Sequence, residues 1–182
     1  MSNRLTGILK FLNVLSWIVF IGLCIEAGGF IFNTFFVLLI NPVGAEKFWT
    51  GIDLSAIHAH DQHQFLLIVA IMIMVSILKA FLFYLIVKIF HDKHLDLVHP
   101  FNKTLGKYLF NLAYVSLGIG ALSYLGSKIL AQVLSHNVSV PSMEQLHIGG
   151  TEVWFIMGIT LYVFAQIFRK GIELQAENDL TV

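Results

Sequence analysis

Four apolar runs, each long enough to cross a bilayer, decide what this chain can become. They cover roughly residues 11–40, 65–90, 103–134 and 151–168. A hydrocarbon core of about 30 Å needs about 20 helical residues. Backbone polar groups inside lipid must be satisfied within the chain, so runs of this length are read as helices. Only 12% of the 182 residues are charged, against about 25% in an ordinary soluble domain. The reading is an all-α integral membrane four-helix bundle, a single domain over residues 1–182 in contact with the lipid bilayer. A cytoplasmic tail over residues 169–182 is expected to follow the last span.

The distribution of Lys and Arg sets the expected orientation. Arg4, Lys10, Lys88, Lys93, Lys103, Lys107, Arg169 and Lys170 fall at the N-terminus, the middle connection and the C-terminus, whereas Lys47 and Lys128 fall near the other two connections. Basic residues flanking spans stay in the cytoplasm, so both termini are expected there, and Trp49 and Trp154 at the outer interface. Arg4 and Lys10 before an apolar run resemble an export signal. The run far exceeds the ~7–15 residues of a signal core, and Leu23 is too large for the position before a lipoprotein cysteine. The run is therefore read as an uncleaved span, with Cys24 as a buried small hydrophobe. The first span ends at Asn41-Pro42, where proline cannot continue helical hydrogen bonding. Asn102 is a plausible N-cap for the third.

Glu26 and Lys79 are the intramembrane charges that need an explanation. Each lies about 15 residues, or ~20 Å, from an apolar end, which allows them to meet as a charged pair. A lone charge at that depth costs at least ~2.5–3.5 kcal/mol. Glu26 shares a helix face with Gly22, Gly29 and Asn33, a small polar stripe expected to face protein. Ser76 lies three residues before Lys79 on one face. The pair is read as a structural ion pair, with a proton- or ion-responsive pair as the functional alternative. Ala113, Ser116, Gly120, Ser123 and Ser127 make a small-residue face on the third span, a seam for close helix approach.

The eight histidines fall in connections: His58, His60, His63, His136 and His147 in the outer ones, His91, His94 and His99 in the middle one. None is mid-span, which argues against a bilayer haem. His58, His60 and His63 are the metal-ligand candidates, but their spacing matches no closed zinc motif. They are read as solvated loop residues that form no tight metal site, and no cofactor is expected. Glu152, in the first turn of the fourth span, suits a helix N-terminus. There is no phosphate loop and no Ser/His/Asp pattern, so the chain is not expected to be an enzyme. A net charge of zero gives no field for direct nucleic-acid binding.

Beyond Arg169 and Lys170 the chain turns acidic. Glu173, Glu177 and Asp179 alternate with Ile172, Leu174, Leu180 and Val182, a pattern that suits docking on the inner face or on a partner. The stretch from Phe164 to Val182, ending Glu177-Asn178-Asp179-Leu180-Thr181-Val182, resembles the end of an uncharacterised bacterial four-span membrane family, catalogued as domain of unknown function 2975. The Pro100-Phe101-Asn102 entry to the third span is also similar. The resemblance implies a multi-pass protein of the bacterial inner membrane. Members of that family are often encoded beside a small helix-turn-helix regulator. The resemblance thus implies a sensor or regulatory anchor that engages a cytoplasmic transcriptional regulator, with Glu173, Glu177, Asn178, Asp179 and Leu180 as the candidate partner-binding tail. The alternatives are a small proton-coupled transporter using Glu26, or an outer-face metal-binding protein; self-association into a homo-oligomer is compatible with each.

Overall fold

Asn41 and Pro42 stop the first helix as the sequence requires. In the computed structural model, which describes residues 3–92 and 103–179, α1 spans Asn3–Leu39. Its end is closed by Ile40 and Asn41, whose N–H groups both reach the Phe36 carbonyl at 3.0 and 2.9 Å. The Asn41 carboxamide then accepts from the Val43 N–H and opens a 3-10 turn over Pro42–Lys47. A short helix, α2 (Ser55–His60), follows. The three remaining long helices are α3 (Gln62–His91), α4 (Lys103–Ser135) and α5 (Thr151–Asp179). Asp61 caps α3 by accepting from the His63 N–H at 2.7 Å. Asn102, expected as the cap of α4, lies outside the described residues, as do His94, His99 and Leu180.

Four of these helices, α1, α3, α4 and α5, are long and apolar enough to cross a membrane, and no strand occurs among the described residues. The chain is a multi-pass helical membrane protein. Three hydroxyls inside the spans bond back to their own helix, a local way to satisfy them in hydrocarbon. Ser16 donates to the Leu12 carbonyl at 2.8 Å, Thr34 to Phe30 at 2.6 Å and Ser116 to Leu112 at 2.8 Å.

The long helices pack in chain order, α1 on α3, α3 on α4, α4 on α5. The middle pair is the most buried. The outer pair turns large apolar side chains outward, such as Phe11, Ile18 and Phe32 on α1 and Val153, Ile156 and Ile159 on α5. In a bilayer these are lipid-facing positions. Cys24 belongs to the same outward face of α1 and is exposed, contrary to its expected burial. Its neighbours Ile21 and Ile25 point to lipid too.

The small-residue face of α4 is where α5 approaches. Ala113, Ser116 and Ser123 are fully buried. A Cβ on Gly120 would stand 3.2 Å from the Phe155 ring, and one on Gly158 2.7 Å from Leu117. Side chains thus fill the notches left by glycines on the facing helix, the packing expected where lipid supplies no hydrophobic drive. Further along, Ile172 reaches Gly106. α5 therefore does not stop near Phe168 but runs on as helix to Asp179 along the start of α4. Within this extension Glu173 faces Lys170 at 3.3 Å and Arg169 at 3.9 Å on its own helix.

The connections 40–61 and 136–150 meet at one end of the helices, hereafter the loop end. Phe48, Leu54 and Ile57 from the first, and Leu146 and Ile148 from the second, are buried over Phe30 and Phe65. Both connections are therefore packed caps instead of solvated loops.

Candidate functional site

The second connection carries a self-braced turn. The Ser142 N–H donates to Gln145 Oε1 at 2.8 Å, and the Gln145 N–H to Ser142 Oγ at 3.2 Å. This is the reciprocal bonding of a capping box. The turn closes with the His147 N–H on the Glu144 carbonyl and the Ile148 N–H on the Met143 carbonyl, at 3.0 and 3.1 Å. That pair of bonds is the Schellman pattern, whose penultimate residue takes a left-handed conformation and is usually glycine. Here it is His147, with φ at 59°. A side chain held in this region costs about 1–2 kcal/mol, so contacts made by the imidazole must offset it. Gly150, also at positive φ (79°), then releases the chain into α5.

Those contacts lead to Glu26. His147 Nδ1 lies 2.8 Å from Glu26 Oε2, and its ring meets Phe30 edge-on with centres 5.8 Å apart. The other carboxylate oxygen accepts from the fully buried Ser76 hydroxyl at 2.9 Å. Lys79, one turn along α3, donates from Nζ to the His147 carbonyl at 2.7 Å. Its ammonium also stands 5.9 Å from the centre of the Trp154 ring, within cation–π range. One node thus joins α1, α3, the second connection and the first turns of α5. Glu26 and Lys79 share this network through His147; neither a hydrogen bond nor an ion pair joins them directly among the described residues. Lys79, His147, Glu144 and Gly149 line an open depression of about 340 Å³. Chemically, the node brings together a carboxylate, an imidazole and an ammonium, of which the imidazole and the ammonium line that opening.

The Gly22–Gly29–Asn33 stripe is used unevenly. Gly29 receives the six-membered ring of Trp49 against its backbone, whereas nothing stands near a Cβ built on Gly22. Trp154, at the start of α5, faces Lys79. Glu152 does lie in the first turn of α5.

The histidines divide. His147, placed by the sequence in an outer connection, is part of the node. The signal for it was present: Leu146 and Ile148 flank it as apolar residues, and Ser142 and Gln145 have capping-box spacing. His58 packs its ring on Phe65, centres 4.9 Å apart, and His63 is exposed at the start of α3, away from that ring contact. Among the described residues no group of three or more metal-ligating side chains converges. His60 lies instead beside His136. At the opposite end His91 stacks edge-on with Trp17, and the Tyr108 hydroxyl donates to Asp92 at 3.1 Å. Of the candidate tail, Glu173 and Glu177 are exposed on α5 and Asn178 and Asp179 continue its helix.

A family model described as a protein of unknown function (DUF2975) matches residues 48–182. The match includes Lys79, His147 and the whole α5 extension and begins after Glu26. No curated protein and no solved structure matches the chain.

Proposed function

Since the chain belongs to the DUF2975 family, whose function is not defined, we propose from its own geometry that it is a membrane sensor and regulatory anchor. The loop end, placed outside by the basic-residue distribution, holds the input. The opposite face, with the α5 extension, holds the output to a cytoplasmic partner such as a small helix-turn-helix regulator. The proposed setting is the bacterial inner membrane, and the reading assigns the chain no catalytic activity.

What supports this reading is the Glu26–His147 contact. It fastens a loop-end turn, held in an unfavourable backbone conformation, to a helix that runs to the opposite face. A signal that alters the charge on His147 or Glu26, or that occupies the depression beside Lys79, changes the restraint between that turn and α1. Such a change becomes a population shift only if the signal differs in affinity for the two arrangements, and a strained residue supplies two arrangements to choose between. A proton-coupled transporter is the second reading, favoured by the carboxylate of Glu26 held on His147, which lines an opening.

The two readings separate at the α5 extension. A transporter works at a site within its spans, so its tail is dispensable. A sensor without a cytoplasmic surface is mute. Deleting Glu177–Val182 is expected to leave a folded, inserted protein while abolishing regulator capture and transcriptional output. Unchanged output from the truncated protein, together with solute flux lost on Glu26→Gln, supports the transporter instead.

A further inference from the structure

His60 ends α2, and His136 follows α4 by one residue. They come from connections far apart in sequence, yet their ring centres are 5.5 Å apart with the planes inclined by 41°. Both residues are exposed. Neither needs the other for packing, because the caps are anchored by Ile57 and Val133, each fully buried beside its histidine.

The tautomer of His136 is set by its helix. Nδ1 lies 2.9 Å from the Gln132 carbonyl. A carbonyl only accepts, so Nδ1 carries the proton and Nε2 of the neutral ring keeps its lone pair. An imidazole oriented through one nitrogen by a backbone carbonyl is the usual form of a metal-ligating histidine. His60 is fixed differently. Its helix is held by Ile57 beneath and by the Asp61 N–H on the Ile57 carbonyl at 3.0 Å. Neither of its ring nitrogens makes a hydrogen bond among the described residues.

The spacing suits a shared ion. With metal–nitrogen bonds of about 2.0–2.1 Å and ring centres about 1.1 Å behind the nitrogens, two imidazoles at a tetrahedral angle have centres about 5 Å apart. The observed separation of 5.5 Å is close to that value.

We propose that His60 and His136 form a two-histidine site for an exchangeable divalent transition ion of borderline softness, such as Zn²⁺, which ties the first loop-end connection to the end of α4. Imidazole suits Zn²⁺, Cu²⁺ and Ni²⁺, whereas Mg²⁺ and Ca²⁺ require oxygen ligands. With no third protein ligand in the described residues, water completes the coordination. The ion therefore comes and goes and is not a resident cofactor. The site stands apart from the Glu26 node and does not depend on the sensor reading.

The test is titration of the full, tag-free chain in lipid nanodiscs with ZnCl₂, followed by calorimetry and by the shift in melting temperature. The wild type is expected to bind one Zn²⁺ per chain and to melt at a higher temperature with it. His60→Ala and His136→Ala are each expected to weaken binding by about tenfold or more, the loss of a chelate partner. The double variant should be little weaker than either single one. A His58→Ala, His63→Ala double variant should bind as the wild type does. The proposal is overturned if binding does not saturate near one ion per chain, if His136→Ala leaves it unchanged, or if it is lost with His58 and His63. Melting temperatures without zinc establish that every variant is folded.

Discussion

Replacing Gly29 by alanine is expected to displace Trp49 and to cost about 1–3 kcal/mol, the range for overpacking a filled site. In most helix positions the same change favours folding by roughly 0.5–1 kcal/mol, so the expected sign is reversed here. The reason is steric. A methyl on Gly29 would occupy the space of the six-membered ring of Trp49, with Cε3 2.9 Å away and two ring atoms closer still. The ring has little freedom to retreat. It meets Phe30 edge-on at 5.7 Å, and its carbonyl accepts from the Ile52 N–H at 2.9 Å within a turn closed by Phe48 and Ile52. Gly22, with open space around it, is the control, and its change to alanine should be neutral or stabilising. With Trp17 and Trp154 changed to Phe, the emission of Trp49 reports its position. An unshifted emission spectrum and an unchanged melting temperature in Gly29→Ala would show that the ring does not rest on α1.

The second large effect belongs to Glu26. Glu26→Ala removes the acceptor of the buried Ser76 hydroxyl and the partner of His147 together. Hydrogen bonds to charged groups contribute about 1.5–3 kcal/mol each. The His147 side chain is 34% exposed and that of Glu26 17%, so solvent screening places that contact at the low end. The sum expected is about 3 kcal/mol, read as a fall in melting temperature. A double-mutant cycle assigns it: Glu26→Gln with His147→Ala should show coupling of about 1 kcal/mol, within the range for residues in one network. The cycle between Glu26 and Lys79 should show less, because their link runs through the His147 backbone. Strict additivity for Glu26 and His147 would mean that the 2.8 Å contact carries no energy.

Much of the membrane architecture was legible because bilayer thickness acts on the sequence directly. Asn41-Pro42 announced the end of α1, and the depth of Glu26 and Lys79 marked both as charges that need partners, but the ion pair expected between them is replaced by a link through His147. The spacing of Ala113, Ser116 and Gly120 announced the face that meets α5. What hydropathy does not encode is how connections fold back. His147 is polar and sits outside every apolar run, so its place at the node depends on a turn braced by Ser142 and Gln145 and buried by Leu146 and Ile148. The pairing of His60 with His136 is a tertiary fact that neither local sequence contains. Glu173 pairs with Arg169 and Lys170 because the helix continues past Phe168 and places them one turn away. Cys24 was misjudged because a span is apolar on every side, and hydropathy does not tell a lipid-facing position from a core one.

Signal transfer from the loop end to the opposite face is most directly tested by hydrogen–deuterium exchange of the full chain in nanodiscs, comparing the wild type with His147→Gln. With the Glu26–His147 contact weakened, faster exchange is expected in residues 136–150. It is also expected at the far side, in the last turns of α5 from Arg169 to Asp179 and the first turns of α4 from Lys103 to Tyr108. Change confined to residues 136–150, with the far helix ends exchanging as in the wild type, would contradict coupling through the node and leave it a local fastening of the turn.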